Sequence, residues 1–194
     1  MYHMKELLRV IAHTLLNPDL GLKLIPHELI DLHWVLRGLS DADFSTDKDN
    51  RKSITGFILY LLGCPISRKS KGQGAVSLSS TESEYYAMSE IVQEVKFIVQ
   101  ILEFMNIPVK YPITISVDNV GALYLSRSAS SNNRTKHIDT RVHFIRDYQE
   151  DGKVLFQFVR SEENDADIFT KNVSSELYQK HSEKLVWTKH ELDD

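Results

Sequence analysis

The sequence predicts an α/β domain built on a mixed five-stranded sheet flanked by helices, and three observations carry that reading. Short β-favouring runs joined by glycine-containing turns fill the chain from about residue 31 to residue 78. One long stretch of helical periodicity follows over 79–106. Strand-like and helix-like segments then alternate. Strands joined by short turns pair antiparallel, whereas a strand reached through a helix lies parallel to its neighbour, so three antiparallel strands precede two parallel ones.

Residues 5–16, KELLRVIAHTLL, place Leu7, Leu8, Ile11, Leu15 and Leu16 at helical spacing, and the turn-forming NPDLG ends that helix. DLHWVLRGLSDADF and SITGFILYLLG read as the first two strands, and CPISRKS with AVSLSS as the third. Ser79, Ser80 or Thr81 caps the long helix, and Glu82 and Glu84 suit its first turns because its N-terminus carries partial positive charge. Asn106 and Pro108 stop it. YPITISVD alternates into a fourth strand, Val120 to Leu125 forms a short helix, and SASSNNRT is a polar loop. HIDTRVHFIRDYQEDG is a helix closed at Gly152, KVLFQFV is the fifth strand, and ENDADIFTK opens a last helix. A further short helix is expected around Glu176 to Leu185. The chain thus divides into a lead-in (1–33), a principal domain (34–172) and a tail (173–194).

Composition narrows the function classes. A chain of 194 residues with 42% hydrophobic and 26% charged content supports one ordinary core. The single cysteine, Cys64, excludes an internal disulfide and a cysteine-rich zinc module, and fits a reducing compartment. No signal-peptide pattern opens the chain, and its longest nearly apolar run, 54–66, is interrupted by Gly56, Gly63 and Pro65, so no membrane insertion is expected. A net charge of -4 argues against coating nucleic acid by bulk charge. Locally the balance reverses: no acid occurs over 51–81, where Arg51, Lys52, Arg68, Lys69 and Lys71 fall. Cations for phosphates beside carboxylates for metal is what a metal-using nuclease needs, and a solvated hairpin face shows the same pattern.

The acidic run LSDADFSTDKD, 39–49, is not a calcium loop. Counted from Asp41, Thr46 stands where the turn requires Gly and Lys52 where the closing Glu belongs; counted from Asp43, those places hold Lys48 and Ile54. Instead, Asp41 at the end of strand one and Asp118 at the end of strand four project at the same end of a sheet in which those strands are neighbours. Glu84, in the first turns of the long helix, and Asp167, at the start of the last helix, close the ring. Taken singly, each acid also suits a cap or turn. Together they cannot all stay ionised without cations, and magnesium, which takes oxygen ligands and retains water, is the natural counter-charge. Two such ions roughly 4 Å apart activate water and stabilise the leaving oxygen in phosphodiester hydrolysis.

SDADF, GFILYLLGCPISRKSKGQ, LSSTESEYYAMSE, ITISVDNVGAL, RTKHIDTRVHFIRD and NDADIFTK occur in this order over roughly residues 34–172. They closely resemble the ribonuclease H domain at the C-terminal end of the Pol polyprotein of copia-type LTR retrotransposons. The lead-in, KELLRVIAHTLLNPDLGLKL, resembles the connecting segment that follows the reverse transcriptase there. The resemblance implies a ribonuclease H-like fold that cleaves the RNA strand of RNA/DNA hybrids with two Mg2+ ions, or Mn2+ in their place, and no covalent intermediate. The family's catalytic, metal-holding acids fall on Asp41, Glu84, Asp118 and Asp167. Glu82 is the rival for the helix position, although EYYAM after Glu84 matches better, and Asp43 is a candidate outer ligand. The loop VRSEEN lacks the histidine that many members carry, and Phe44 replaces a usual Trp. The only Asp-Asp pair, Asp193 with Asp194, is terminal, so no polymerase site is expected.

For substrate, Ser79, Ser80, Thr81 and Asn119 offer hydrogen bonds near the acids, where hybrids are told from DNA by their 2′-hydroxyls. Arg68, Lys69 and Lys71 suit the DNA-strand backbone, with Arg134 and Lys136 as a second patch. The resemblance also implies the reverse transcriptase domain of a parent polyprotein as partner, no disulfide partner, and a cytoplasmic, particle-associated location, with the nucleus as a second site. An integrase or transposase shares the fold, but its acid set usually ends in Glu and one cysteine cannot build its zinc module. A non-catalytic nucleic-acid-binding remnant of a Pol polyprotein stays open as the alternative.

Overall fold

The computed structural model describes residues 2–27, 29–30, 33–127 and 139–188. Chain order is α1 (Tyr2–Leu16), β1 (Leu20–Leu22), β2 (Leu29–Ile30), β3 (His33–Trp34), β4 (Leu36–Asp43), β5 (Ile54–Leu61), β6 (Cys64–Gly72), α2 (Ser80–Phe104), β7 (Ile113–Val117), α3 (Val120–Arg127), α4 (Asp139–Glu150), β8 (Val154–Phe158), α5 (Ser175–Ser182) and β9 (Val186–Thr188). No helix among the described residues is long and apolar enough to cross a membrane.

The principal sheet runs β6-β5-β4-β7-β8. β4, β5 and β6 are antiparallel, and β7 and β8 run parallel to β4, the predicted mixed arrangement. Burial follows position: β4 and β5 are covered on both faces, whereas the edge strand β6 alternates between covered and open residues. Period-two alternation also divides the core. Phe57 and Leu59 face α2, where they meet Met88, Ile91 and Val95; Ile58 and Tyr60 face away, into a second cluster with Leu39, Ala166 and Leu185. Leu62 and Gly63 turn the β5–β6 hairpin with φ of 54° and 81°, the left-handed pair that a two-residue hairpin requires.

The structure departs from expectation at three places. The first predicted strand is split into β3 and β4 at Val35. AVSLSS does not continue the third strand. Buried Gln73 donates to Thr55 Oγ1 and to the Ser83 carbonyl, at 3.0 and 2.9 Å, and accepts from Ser77, so the segment is tied between β5 and α2 instead of extending the sheet edge. SEENDADIFTK, residues 161–171, forms two 3-10 turns, Ser161–Glu163 and Asp165–Phe169, and helix resumes only at α5, capped by Ser174. Asn164 explains the turn: its amide donates to the Ser40 carbonyl at 3.0 Å and accepts the Ala166 N–H, bonds that compete with a regular helical ladder. Asp167 is therefore held inside a 3-10 turn, not at a helix start.

Lead-in and tail meet. β1 pairs antiparallel with β9, and Leu185 joins the second core. The tail is pinned to the 3-10 turn by Asp165, which is 2% exposed and accepts from Tyr60 OH at 2.8 Å, His181 Nδ1 at 2.6 Å and Lys184 Nζ at 2.6 Å. Removing one member of such a buried set leaves the others uncompensated. Asp165→Leu should lower unfolding free energy by about 3 kcal/mol in urea denaturation, and an unchanged midpoint would show that these contacts do not anchor the tail.

Candidate metal centre

Parallel pairing brings the first two acids together. β4 and β7 are neighbours in register, with Ser40 opposite Val117, so the residues that follow, Asp41 and Asp118, stand side by side where β7 ends. The third acid comes from across the sheet. Ser79 caps α2 by accepting the Glu82 N–H, and the Glu82 carboxylate accepts the Leu78 N–H at 2.7 Å. Glu82 is thus engaged at the helix start, and Glu84 is the acid that α2 delivers. Oxygens of Asp41, Glu84 and Asp118 all lie within 4.8 Å of one another.

Asp167 stands beside this trio, joined to it by a cation. Lys171, one turn later, places Nζ 3.0 Å from Asp167 Oδ2 and 3.6 Å from Asp41 Oδ2. The Thr170 hydroxyl donates to the Asp41 carboxylate. Close approach of this turn to the sheet requires Gly56, which pairs with Asp41: a Cβ there would stand 2.5 Å from Thr170 Cγ2 and 3.0 Å from the Ala166 carbonyl. On the opposite side, Ser161 donates to Asp118 Oδ2 at 2.6 Å.

Burial and mutual repulsion shape the charges. Burial, then Asp41 and Asp118, lifts Glu84 well above the ordinary glutamate value, with the Ala42 N–H opposing. Asp41 is raised chiefly by burial, against Thr170 and Lys171. Burial and the Asp41 charge push Asp167 up to about 7. For Lys171, burial acts downward, but Asp41 and Asp167 outweigh it and hold the ammonium charged. Glu84 Oε2 and Asp167 Oδ1 are buried with no hydrogen-bond partner among the described residues. Anionic oxygens converging in so little space, two of them unpartnered, fit a hard divalent cation with oxygen ligands.

The remaining predicted residues are more dispersed. Ser80, the first residue of α2, is exposed beside the cap, and Asn119 Oδ1 accepts the Ala122 N–H to start α3. Asp43 ends β4, half-buried. Arg68, Lys69 and Lys71 alternate across the edge strand instead of forming one row. Arg68 approaches Phe169 on the second-core face, whereas Lys69 pairs with Glu90 of α2 at 2.5 Å on the other, and Lys71 is exposed. Arg134 and Lys136 lie outside the described residues. Sequence reasoning missed Ser161, Thr170 and Lys171. The four-residue spacing of Asp167 and Lys171 was readable as a helical-turn pair; the contacts of Ser161 and Thr170 with distant strands had no local signal.

No family model matches the chain. Over 183 residues, 94% of its length, it is 36% identical to the retrovirus-related Pol polyprotein from transposon RE2 of Arabidopsis thaliana and 34% identical to that from transposon RE1. It is 37% identical over 145 residues to the corresponding polyprotein from transposon TNT 1-94 of Nicotiana tabacum. The chain spans about 12% of the first two polyproteins. In three dimensions it is similar to LC11-RNase H1, isolated from compost by a metagenomic approach, with a TM-score of 0.54 at 12% identity, covering 70% of this chain and 92% of that one. A second structure of LC11-RNase H1, in complex with an RNA/DNA hybrid, gives a TM-score of 0.52 at 11% identity over 70% and 93% of the two chains.

Two outcomes follow from the geometry. Asp167 titrates near pH 7 when folded, against an ordinary value of 3.8. Between those values the folded chain keeps a proton that the unfolded chain releases. Its contribution to stability, complete below pH 3.8, is therefore lost as pH rises through about 7. Urea denaturation in chelator across this window should show a downward slope that Asp167→Asn flattens; equal slopes would refute the assignment. Gly56→Ala should displace the turn bearing Asp167 and weaken Mn2+ binding about tenfold in calorimetry, while circular dichroism stays unchanged. Wild-type affinity in that variant would show that the close approach does not matter.

Proposed function

We propose, from the premise that this chain is homologous to one segment of retrovirus-related Pol polyproteins and carries the ribonuclease H fold, that it is a metal-dependent endonuclease hydrolysing the RNA strand of RNA/DNA hybrids. The observation that carries the reading is the meeting of Asp41, Glu84 and Asp118, from three separate elements, within 4.8 Å, with Asp167 beside them. A binding fold alone has no use for buried carboxylates that repel both one another and a phosphate backbone.

In this reading Asp41, Glu84, Asp118 and Asp167 hold two divalent ions, Mg2+ or Mn2+. The ions, when bound, supply a water of lowered pKa and positive charge at the leaving oxygen. Every other role falls to the chain's own groups. Ser161 orients the Asp118 carboxylate, Thr170 orients that of Asp41, and Lys171 offsets negative charge between Asp41 and Asp167. We assign Ser80, at the start of α2, and Asn119, next to Asp118, to the 2′-hydroxyls that distinguish hybrid from DNA. On edge strand β6, Arg68 and Lys71, which point to opposite faces, take backbone phosphates on either side of that edge. Within the retrotransposons we assign the chain to the copia type. Its partners are the hybrid and the reverse transcriptase domain of the parent polyprotein, within cytoplasmic particles.

A fluorophore-labelled RNA/DNA hybrid, with duplex DNA and duplex RNA as controls, tests the proposal. Cleavage of the hybrid alone is expected in magnesium, abolished by chelator and reduced at least about a hundredfold in Asp118→Asn. A folded chain that binds hybrid without cutting it would leave a nucleic-acid-binding remnant in place of the enzyme.

A further inference from the structure

We infer that a cationic cleft at the opposite end of the sheet's second face is a phosphate-binding site, separate from the acidic cluster. The cleft encloses about 640 Å³. Lys23 of the lead-in, Arg37 of β4, and Lys180 and Lys184 of the tail line it; among the described residues Glu183 is the only carboxylate in the lining, while Glu163 and Asp165 pair with Lys180 and Lys184 from beside it. A chain with a net charge of -4 thus gathers four cations in one concavity, drawn from three segments far apart in sequence. Concave placement focuses their field on an anion within it.

Three of the four cations are fixed in place. The Arg37 guanidinium lies 4.2 Å over the Tyr60 ring, and the Tyr60 hydroxyl is itself bonded to buried Asp165. Lys184 is held by Asp165 and Lys180 by the Glu162 carbonyl and Glu163. An ammonium has three donor hydrogens, so beyond these contacts Lys184 offers two more and Lys180 one. Ordering costs are met by the fold before binding. The planar guanidinium fork beside two ammonium groups matches the tetrahedral oxygens of phosphate.

Arg37 shares a face of β4 with Asp41 but precedes it by four residues, about 13 Å at the strand's rise, with Leu39 between them in the second core. The cleft is therefore not an extension of the metal centre, and the inference stands whether or not that centre cuts nucleic acid. Phosphates reach such a cleft from a nucleic-acid strand or from a free oligophosphate.

The test uses the full chain in chelator, with a fluorescein-labelled short oligothymidylate followed by anisotropy and inorganic tripolyphosphate followed by calorimetry. Lys23→Gln combined with Lys180→Gln should weaken binding about tenfold and reduce the slope of log affinity against log salt by about 1.4 for the single strand. Arg37→Gln should weaken it independently, and Lys110→Gln, an exposed lysine outside both the cleft and the acidic cluster, should leave it unchanged. Melting curves check that each variant is folded. Loss of oligothymidylate binding in the cleft variants identifies a nucleic-acid strand as the source; loss confined to tripolyphosphate identifies a free oligophosphate. Failure of both probes to bind, or affinities untouched by the cleft substitutions, would overturn the inference.

Discussion

Repulsion among closely packed carboxylates is the constraint around which this domain is organised. Asp41, Glu84 and Asp118 approach within 4.8 Å, and Asp167 lies behind a single lysine. No local sequence could bring four acids so close without help, because Asp41 and Asp118 raise the proton affinity of Glu84 and of Asp167. The fold supplies the help from every side. β4 and β7 must be parallel neighbours in register, α2 must begin one turn before Glu84, and the 3-10 turn must press onto Gly56. The two apolar clusters that hold those elements together outweigh the electrostatic cost of keeping the acids close.

Much of this was legible in the chain because it rests on periodicity. The β-favouring apolar run SITGFILYLLG, the alternation in ITISVD and the helical spacing from Tyr86 to Leu102 report burial directly, so sheet, long helix and strand order could be read. The placement of Asp41 and Asp118 at one sheet end followed from topology alone. What escaped reading depends on contacts between distant residues. Gln73 diverts AVSLSS from the sheet through Thr55 and Ser83, and Asn164 breaks the expected last helix by reaching Ser40, none of which leaves a mark on a local window. The tail suffered most, since its pairing with β1 and the Asp165 contacts become visible only once the domain has closed.

The strand pleat also partitions the molecule chemically. Odd-numbered β4 residues face the 3-10 turn and the tail, and even-numbered ones face α2. Along the first of these faces the chain sets Arg37, then Leu39, then Asp41: cation, apolar spacer, anion. A single strand thereby carries opposite charges at its two ends without a salt bridge between them. Positive charge on the edge strand is divided in the same way, with Arg68 on one face and Lys69 on the other.

Pairing of β1 with β9 has a consequence for how the domain hangs from a longer polypeptide. Strands 20–22 and 186–188 run antiparallel along one short seam, so the incoming and outgoing chain are drawn together at a single place on the surface. The acids gather at the far end of β4 and β7, so chain entering and leaving along this seam stays clear of them.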